Sequence, residues 1–164
     1  MPTPVVSLRP CVAADQGFLR ALYASTRAEE MAHTPWDTAA IETFLTQQFQ
    51  AQHDYYQAHF ADGQFLVIEA AGQPIGRAYL LWTDSHLQII DTALLPDWQG
   101  QGIGSQLMTE WLVQADAQGL SAGLHVTAHN PALRLYQRNG FQEVGENGVY
   151  LKMRRPALAT ATPA

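Results

Sequence analysis

Gln99-Gly100-Gln101-Gly102-Ile103-Gly104 constrains this chain more than any other stretch. Three glycines at alternate positions follow an apolar run, Leu87 to Leu95, and open an amphipathic segment that reads as a helix from Ile103 to about Gln118. A helix start leaves its first N–H groups unpaired, and the macrodipole adds partial positive charge there. Glycines let the backbone approach a ligand closely and adopt conformations closed to other residues. Strand, glycine loop and helix start together make a seat for an anion, most often a phosphate. A tight strand-to-helix turn alone needs only one or two glycines.

The spacing excludes two kinds of phosphate binder. A dinucleotide fingerprint would need its third glycine where Ser105 stands. A Walker A loop would need a lysine, and the stretch has none. The pattern that fits, Q-x-x-G-x-G, resembles the acyl-CoA pyrophosphate loop of the GNAT superfamily of N-acyltransferases. Leu94-Leu95-Pro96-Asp97-Trp98 is similar to that family's strand end and lead-in. Asn130-Pro131-Ala132-Leu133-Arg134-Leu135-Tyr136, followed by Gly140-Phe141, is similar to its second motif on the CoA side. The resemblance covers Leu87 to Phe141; the N-terminal part matches only in layout.

The resemblance implies a set of roles. Backbone groups of Leu94 and Leu95 would meet the pantetheine arm where two strands splay apart. A backbone N–H near Leu94 would hold the oxyanion. Amides from Gln99, Gly100, Gln101, Gly102, Gly104 and Ser105 would hold the pyrophosphate, with Gln99 where many relatives carry arginine. Tyr136 would protonate the departing CoA thiolate, a role for which a positioned donor typically contributes ~10²–10⁴-fold. A tyrosine there also serves as a core ring behind Leu133 and Phe141. Asn130 lies one position off the family's spacing, a place that His129 occupies. Either the loop is one residue shorter or His129 has taken the place; Asn130 capping the helix that Pro131 opens explains it equally well.

The general base is less defined. Where relatives use a glutamate on the strand before the loop, this chain has Gln88, which accepts no proton. Asp91 is a charge inside an apolar strand and needs a reason to be there. It is open to acting through water, to binding a substrate amine, or to capping a turn. Substrate contacts would come from the first two helices and their link: Glu29, Glu30, His33, Trp36, Tyr55 and Tyr56 offer acids and aromatic rings suited to an ammonium group. Most of them have ordinary alternatives, as solvated charges or core rings. The six histidines do not suggest a metal. His125 and His129 would stand about 13 Å apart at ~3.3 Å rise per residue, and His53 and His59 miss the spacing of a helical metal pair.

Composition narrows the classes. The 164 residues suit one domain, spanning 1–155 with a low-complexity, disordered tail over 156–164. A net charge of −6 argues against a nucleic-acid partner and is compatible with a cationic substrate. Cys11 is the one cysteine, which rules out an intrachain disulfide and a thiolate cluster. No apolar run reaches the ~18 residues of a membrane helix, and the N-terminus shows no leader pattern, so a cytoplasmic protein is expected.

Local patterns predict strands at 5–9, 64–70, 75–83, 87–95, 123–128, 141–144 and 149–153. Helices are predicted at 15–31, 38–60, 103–118 and 132–139. Asp37 is a good cap for the second helix, and Trp36 could staple against Ile41. The order β-α-α-β-β-β-α-β-α-β-β describes an α/β (α+β) fold: a mixed, mostly antiparallel sheet of about seven strands flanked by about four helices, as the resemblance also implies. The expected activity is acetyl transfer from acetyl-CoA to a primary amine without a metal, a small-molecule amine being favoured over a protein amine. A non-catalytic acyl-CoA-binding module is the alternative, and a monomer or homodimer fits equally.

Overall fold

Along residues 86–94 burial alternates at first: Leu87 and Ile89 are buried, and Gln88 and Ile90 are partly open. Such alternation marks a strand with one face on a core. The computed structural model, which describes residues 2–158, shows seven strands and four helices in the expected order. They are β1 (Ser7–Pro10), α1 (Gln16–Ala32), α2 (Thr38–His59), β2 (Gln64–Ala70), β3 (Gln73–Trp82), β4 (His86–Leu94), α3 (Ile103–Ala117), β5 (Ser121–Thr127), α4 (Leu133–Arg138), β6 (Gln142–Asn147) and β7 (Tyr150–Arg155). Boundaries shift slightly from the expected ones, most at the final hairpin, which is longer. Residues 159–164 of the expected tail lie outside the described residues.

The sheet runs β1-β2-β3-β4-β5-β7-β6. Every neighbouring pair is antiparallel except β4 and β5. On one face α3 packs Ile103, Leu107, Trp111 and Ala115 against Leu80, Leu87, Leu124 and Met153. On the other, Leu19, Tyr23 and Met31 of α1 join Leu45 and Phe49 of α2 in a second cluster. Each fully buried aliphatic side chain contributes ~1.5–3 kcal/mol. The α2 N-cap is Asp37, whose carboxylate accepts from the Ala40 N–H at 2.8 Å. Trp36 packs edge-on to Phe44 at 5.1 Å, the ring a turn beyond the expected Ile41.

Two irregularities in β4 position everything that follows. First, it pairs with β5 only from His86↔Ser121 to Ile89↔Leu124, and beyond that the two strands part. Second, its register on β3 slips: Leu80 faces Ile89 but Tyr79 faces Asp91, leaving Ile90 as an extra residue. A bulge of this kind reverses which face the following residues present. Strict alternation would turn Asp91 into the α3 core with Leu87 and Ile89. The bulge places it on the opposite face, beside Arg77 and Tyr79.

Candidate functional site

The glycine loop is a seat made of backbone. Gly100 and Gly102 have φ of 75° and 87°, a left-handed conformation that costs other residues about 1–2 kcal/mol. Gly102 is the N-cap of α3, and among the described residues no side chain caps that helix. The first N–H groups of α3 are therefore left for solvent or a ligand. A Cβ at Gly100 or Gly104 would meet nothing within 4 Å, so the approach is open. At Gly102 a Cβ would stand 2.8 Å from Thr3 Oγ1, where the start of the chain lies against the loop. An anionic diphosphate fits this seat on geometry and dipole alone. No basic side chain lies within the loop.

Three residues expected at the ligand make bonds within the protein, two through their side chains and one through its backbone. Gln99 does not project toward the seat; its amide Nε2 donates to the Leu94 carbonyl at 2.9 Å and braces the loop against the end of β4. Gln101 likewise donates to Asp97 O at 2.9 Å. The Leu95 N–H donates to Ile75 O at 2.8 Å, continuing the β3 ladder, so it does not face the gap. Ladder alternation then turns the Leu94 N–H away from β3, toward the space where β5 has departed. Of the two leucines, only Leu94 offers a backbone donor to that gap.

Tyr136 lies in α4, its ring steeply tilted to Phe141 at 6.1 Å and packed on the main core. Burial, and then the negative charge of Asp91, push its phenol above the ordinary range. Its ring also serves the packing role. Asn130 Oδ1 accepts from the Ala132 N–H at 2.8 Å, an Asx turn that sets the start of α4. The expected cap is not formed as such: α4 begins at Leu133 with Ala132 as its N-cap, so the Asn130 bond belongs to the turn before the helix, and Asn130 also borders the cavity described next. His129 is exposed and holds no hydrogen-bond partner among the described residues.

On the face opposite α3, where β4 and β5 part, a cavity of about 450 Å³ opens under the C-terminal half of α2. Tyr55, Tyr56 and Phe60 form one wall, Gln88, Ile90 and Asp91 the floor, and His125 and Tyr150 the far side. Asp91 is not a free carboxylate: it is ion-paired through Oδ2 to Arg77 Nη2. Arg77 is 3% exposed, donates also to Gln52 Oε1 at 2.7 Å, and lies 4.8 Å over the Tyr79 ring. Burial works against the Arg77 charge, and Asp91 together with Tyr79 and Tyr56 more than offsets it, so the guanidinium stays charged. Burial pushes Tyr79 up to about 12 despite that cation. Burial and then Asp91 raise Tyr56 well above the phenol range. Arg77 is the residue that sequence reasoning missed. Its only signal was a lone arginine inside an otherwise apolar strand, Ile75 to Trp82.

Gln88 borders the cavity but is occupied. Its Oε1 lies 3.0 Å from His86 Nε2, and His86 Nδ1 lies 2.7 Å from Ser121 Oγ. Of the substrate residues expected from the first two helices, Tyr55 and Tyr56 border the cavity. Glu30 pairs with Arg27 on the surface of α1, Glu29 and His33 are exposed, and Trp36 is 45% exposed beside Phe44. The reason is length. The 22 residues of α2 span about 33 Å, and its N-terminal end, with Trp36, lies far from the half that closes the cavity. Among the described residues no three His, Cys, Asp or Glu come together as a metal site, and no helix is long and apolar enough to cross a membrane.

Comparison with known proteins fits this architecture. The family model described as "Acetyltransferase (GNAT) domain" matches residues 61–143, just over half of the 164. No curated protein is similar enough in sequence to count as a match. Among solved structures, the PaiA N-acetyltransferase from Thermoplasma acidophilum in complex with coenzyme A has 18% identity and a TM-score of 0.67, over 93% of this chain and 99% of that one. An acetyltransferase from Thermus thermophilus has 19% identity and a TM-score of 0.66, over 95% and 99%. A GNAT family acetyltransferase from Elizabethkingia anophelis with acetyl-CoA bound has 18% identity and a TM-score of 0.56, over 92% and 97%. At these identities the structural likeness establishes the fold.

Proposed function

This chain belongs to the GNAT acetyltransferase family, and from that premise we propose that it transfers an acetyl group from acetyl-CoA directly to a primary amine. One observation carries the reading: the gap between β4 and β5 has an uncapped glycine-rich helix start at its end and an aromatic cavity on one face. The loop amides from Gly100 to Ser105 hold the diphosphate of the acyl donor, the Gln99 N–H being taken by Pro96 O at 3.2 Å. The thioester lies in the gap, its carbonyl oxygen facing the Leu94 N–H. An amine in the cavity attacks the carbonyl carbon; the new C–N bond forms as the C–S bond breaks. The Tyr136 phenol gives its proton to the departing thiolate. That two structural relatives hold coenzyme A or acetyl-CoA supports the choice of donor.

The cavity favours a small acceptor. Its volume of about 450 Å³ lies in the range of small-molecule sites, and its aromatic wall beside a carboxylate suits an ammonium group. One feature favours the rival reading, a non-catalytic acyl-CoA-binding module: both acid candidates of β4 are occupied or non-basic, Asp91 by Arg77 and Gln88 by its chemistry. The deciding experiment follows thiol release from acetyl-CoA over a panel of primary amines, with Tyr136→Phe alongside. Turnover that drops ~10²–10⁴-fold in the variant, with the acetyl-CoA thermal shift intact, is the expected result. A saturating ligand at 100 times its Kd stabilises the fold by ~2.7 kcal/mol. Binding without thiol release for any amine would decide for the module.

A further inference from the structure

Resting on the acetyl-transfer reading, we propose that His125 is the general base that takes the proton from the attacking amine. Its position is the first reason. Ile89↔Leu124 is the last pair joining β4 to β5, so His125 is the first β5 residue past the point where the strands part. On β4 the bulged residue at that same level is Ile90. Leu124 and Val126 are buried in the core beneath α3. His125 therefore points the other way, into the cavity, where it is exposed.

Elimination among the neighbours agrees with position. The other titratable groups lining the cavity are Asp91, Tyr55, Tyr56 and Tyr150, and the remaining polar ones, Gln88 among them, are amides or a hydroxyl. Asp91 gives Oδ2 to the Arg77 guanidinium. Gln88 has no basic atom, and its Oε1 is engaged with His86 Nε2 at 3.0 Å over Gly123. A tyrosine hydroxyl accepts a proton from an ammonium group only poorly when it is itself protonated. His125 is the imidazole of the set, and neither of its ring nitrogens is hydrogen-bonded to any described residue. The groups that face it are Asp91 from β4, Tyr55 and Tyr56 from α2, and, from β7, Tyr150 and Lys152, the register partner of His125.

The step balances simply. The amine nitrogen bonds to the acetyl carbon, and its proton passes to an imidazole nitrogen of His125, directly or through one water. The C–S bond breaks and Tyr136 protonates the sulfur. Solvent then returns the proton from His125 to the tyrosine. Base and acid thus stand on successive elements, β5 and α4.

The test is the pH profile of kcat/KM for His125→Ala and His125→Gln, on any amine that the wild-type chain acetylates. Both variants should lose ~10²-fold or more in kcat, lose the acidic limb of the profile, and keep the acetyl-CoA thermal shift. Added imidazole should restore turnover to His125→Ala and not to the wild type, a rescue that no packing role explains. Variants that keep the wild-type rate and acidic limb overturn the assignment and leave acetyl transfer standing. Loss of rate without loss of the limb, and without imidazole rescue, also overturns it. A wild-type chain that releases thiol with no amine overturns both.

Discussion

The glycine loop before α3 and the cavity under α2 flank the same gap between β4 and β5, yet they are made of different material. The loop side is backbone: uncapped N–H groups, left-handed glycines, and side-chain amides of Gln99 and Gln101 that only brace the turn. The cavity side is side chains drawn chiefly from α2, β4, β5 and β7, with an ion pair at its floor whose guanidinium is buried. A site made of backbone needs only local sequence, and it recognises what is common to all acyl-CoA esters. A site made of side chains from four elements can differ in every member of a family without disturbing the fold. On the proposed function, general donor recognition and particular acceptor recognition are physically separated in this molecule.

Substitutions on each side should separate these properties, and the largest effect is expected at the ion pair. Asp91→Asn leaves the Arg77 guanidinium buried without a compensating charge, which should cost about 3 kcal/mol of stability. Thermal melts should show the loss, while acetyl-CoA still raises the melting temperature of the variant. If acetyl-CoA binding disappeared as well, the two sides would not be separable. Gly102→Ala is the mirror experiment. It forces a left-handed residue at the α3 N-cap for about 1–2 kcal/mol, and it should abolish the acetyl-CoA thermal shift while the cavity persists. An unchanged shift would show that the seat tolerates distortion and that the backbone account is wrong.

A smaller effect is expected at the junction of β1 and α1, which anchors the cavity side. Arg9 of β1 donates to both oxygens of Asp15 at 2.8 Å, and the Val12 N–H adds a third bond at 2.7 Å. The Arg9 bonds first, then the backbone bond, hold the Asp15 carboxyl at about 2. Its folded value is depressed below the ordinary carboxylate range, so its stabilisation is complete above that range and is lost as pH falls toward about 2. Asp15→Asn should lower the melting temperature by a few degrees at neutral pH and flatten the acid slope. The least effect is expected at Trp36→Ala. This exposed ring lies at the far end of α2 from the cavity, and its loss should change stability by no more than ~0.5 kcal/mol. The KM for the amine should not move; if it did, the acceptor site would extend along the whole helix.

The legible parts of the molecule follow the same division. Periodicity located every strand and helix, because alternation and helical spacing are written locally. The loop could be read from three glycines, and Tyr136 from its place in a motif. Asp91 could not be understood from its own neighbourhood. Its reason is Arg77 on the adjacent strand, reached only because a bulge at Ile90 turns the following residues over. Glu30, His33 and Trp36 looked suited to an ammonium ion by type alone. Type does not say which end of a long helix lies over a cavity.

The sequence by itself determined the order of elements, the mostly antiparallel sheet, the anion seat before α3 and the tyrosine of α4. Each depends on residues close together in the chain, whose conformational preferences act at short range. Only the tertiary structure decided that β4 and β5 part after Ile89 and Leu124, that Gln99 braces Leu94, and that Arg77 neutralises Asp91. It alone turned His125, an ordinary histidine in a strand, toward the cavity where the reaction is proposed to occur. Those facts depend on strand register and on which faces meet, and register is set by the packing of the whole sheet rather than by any one segment.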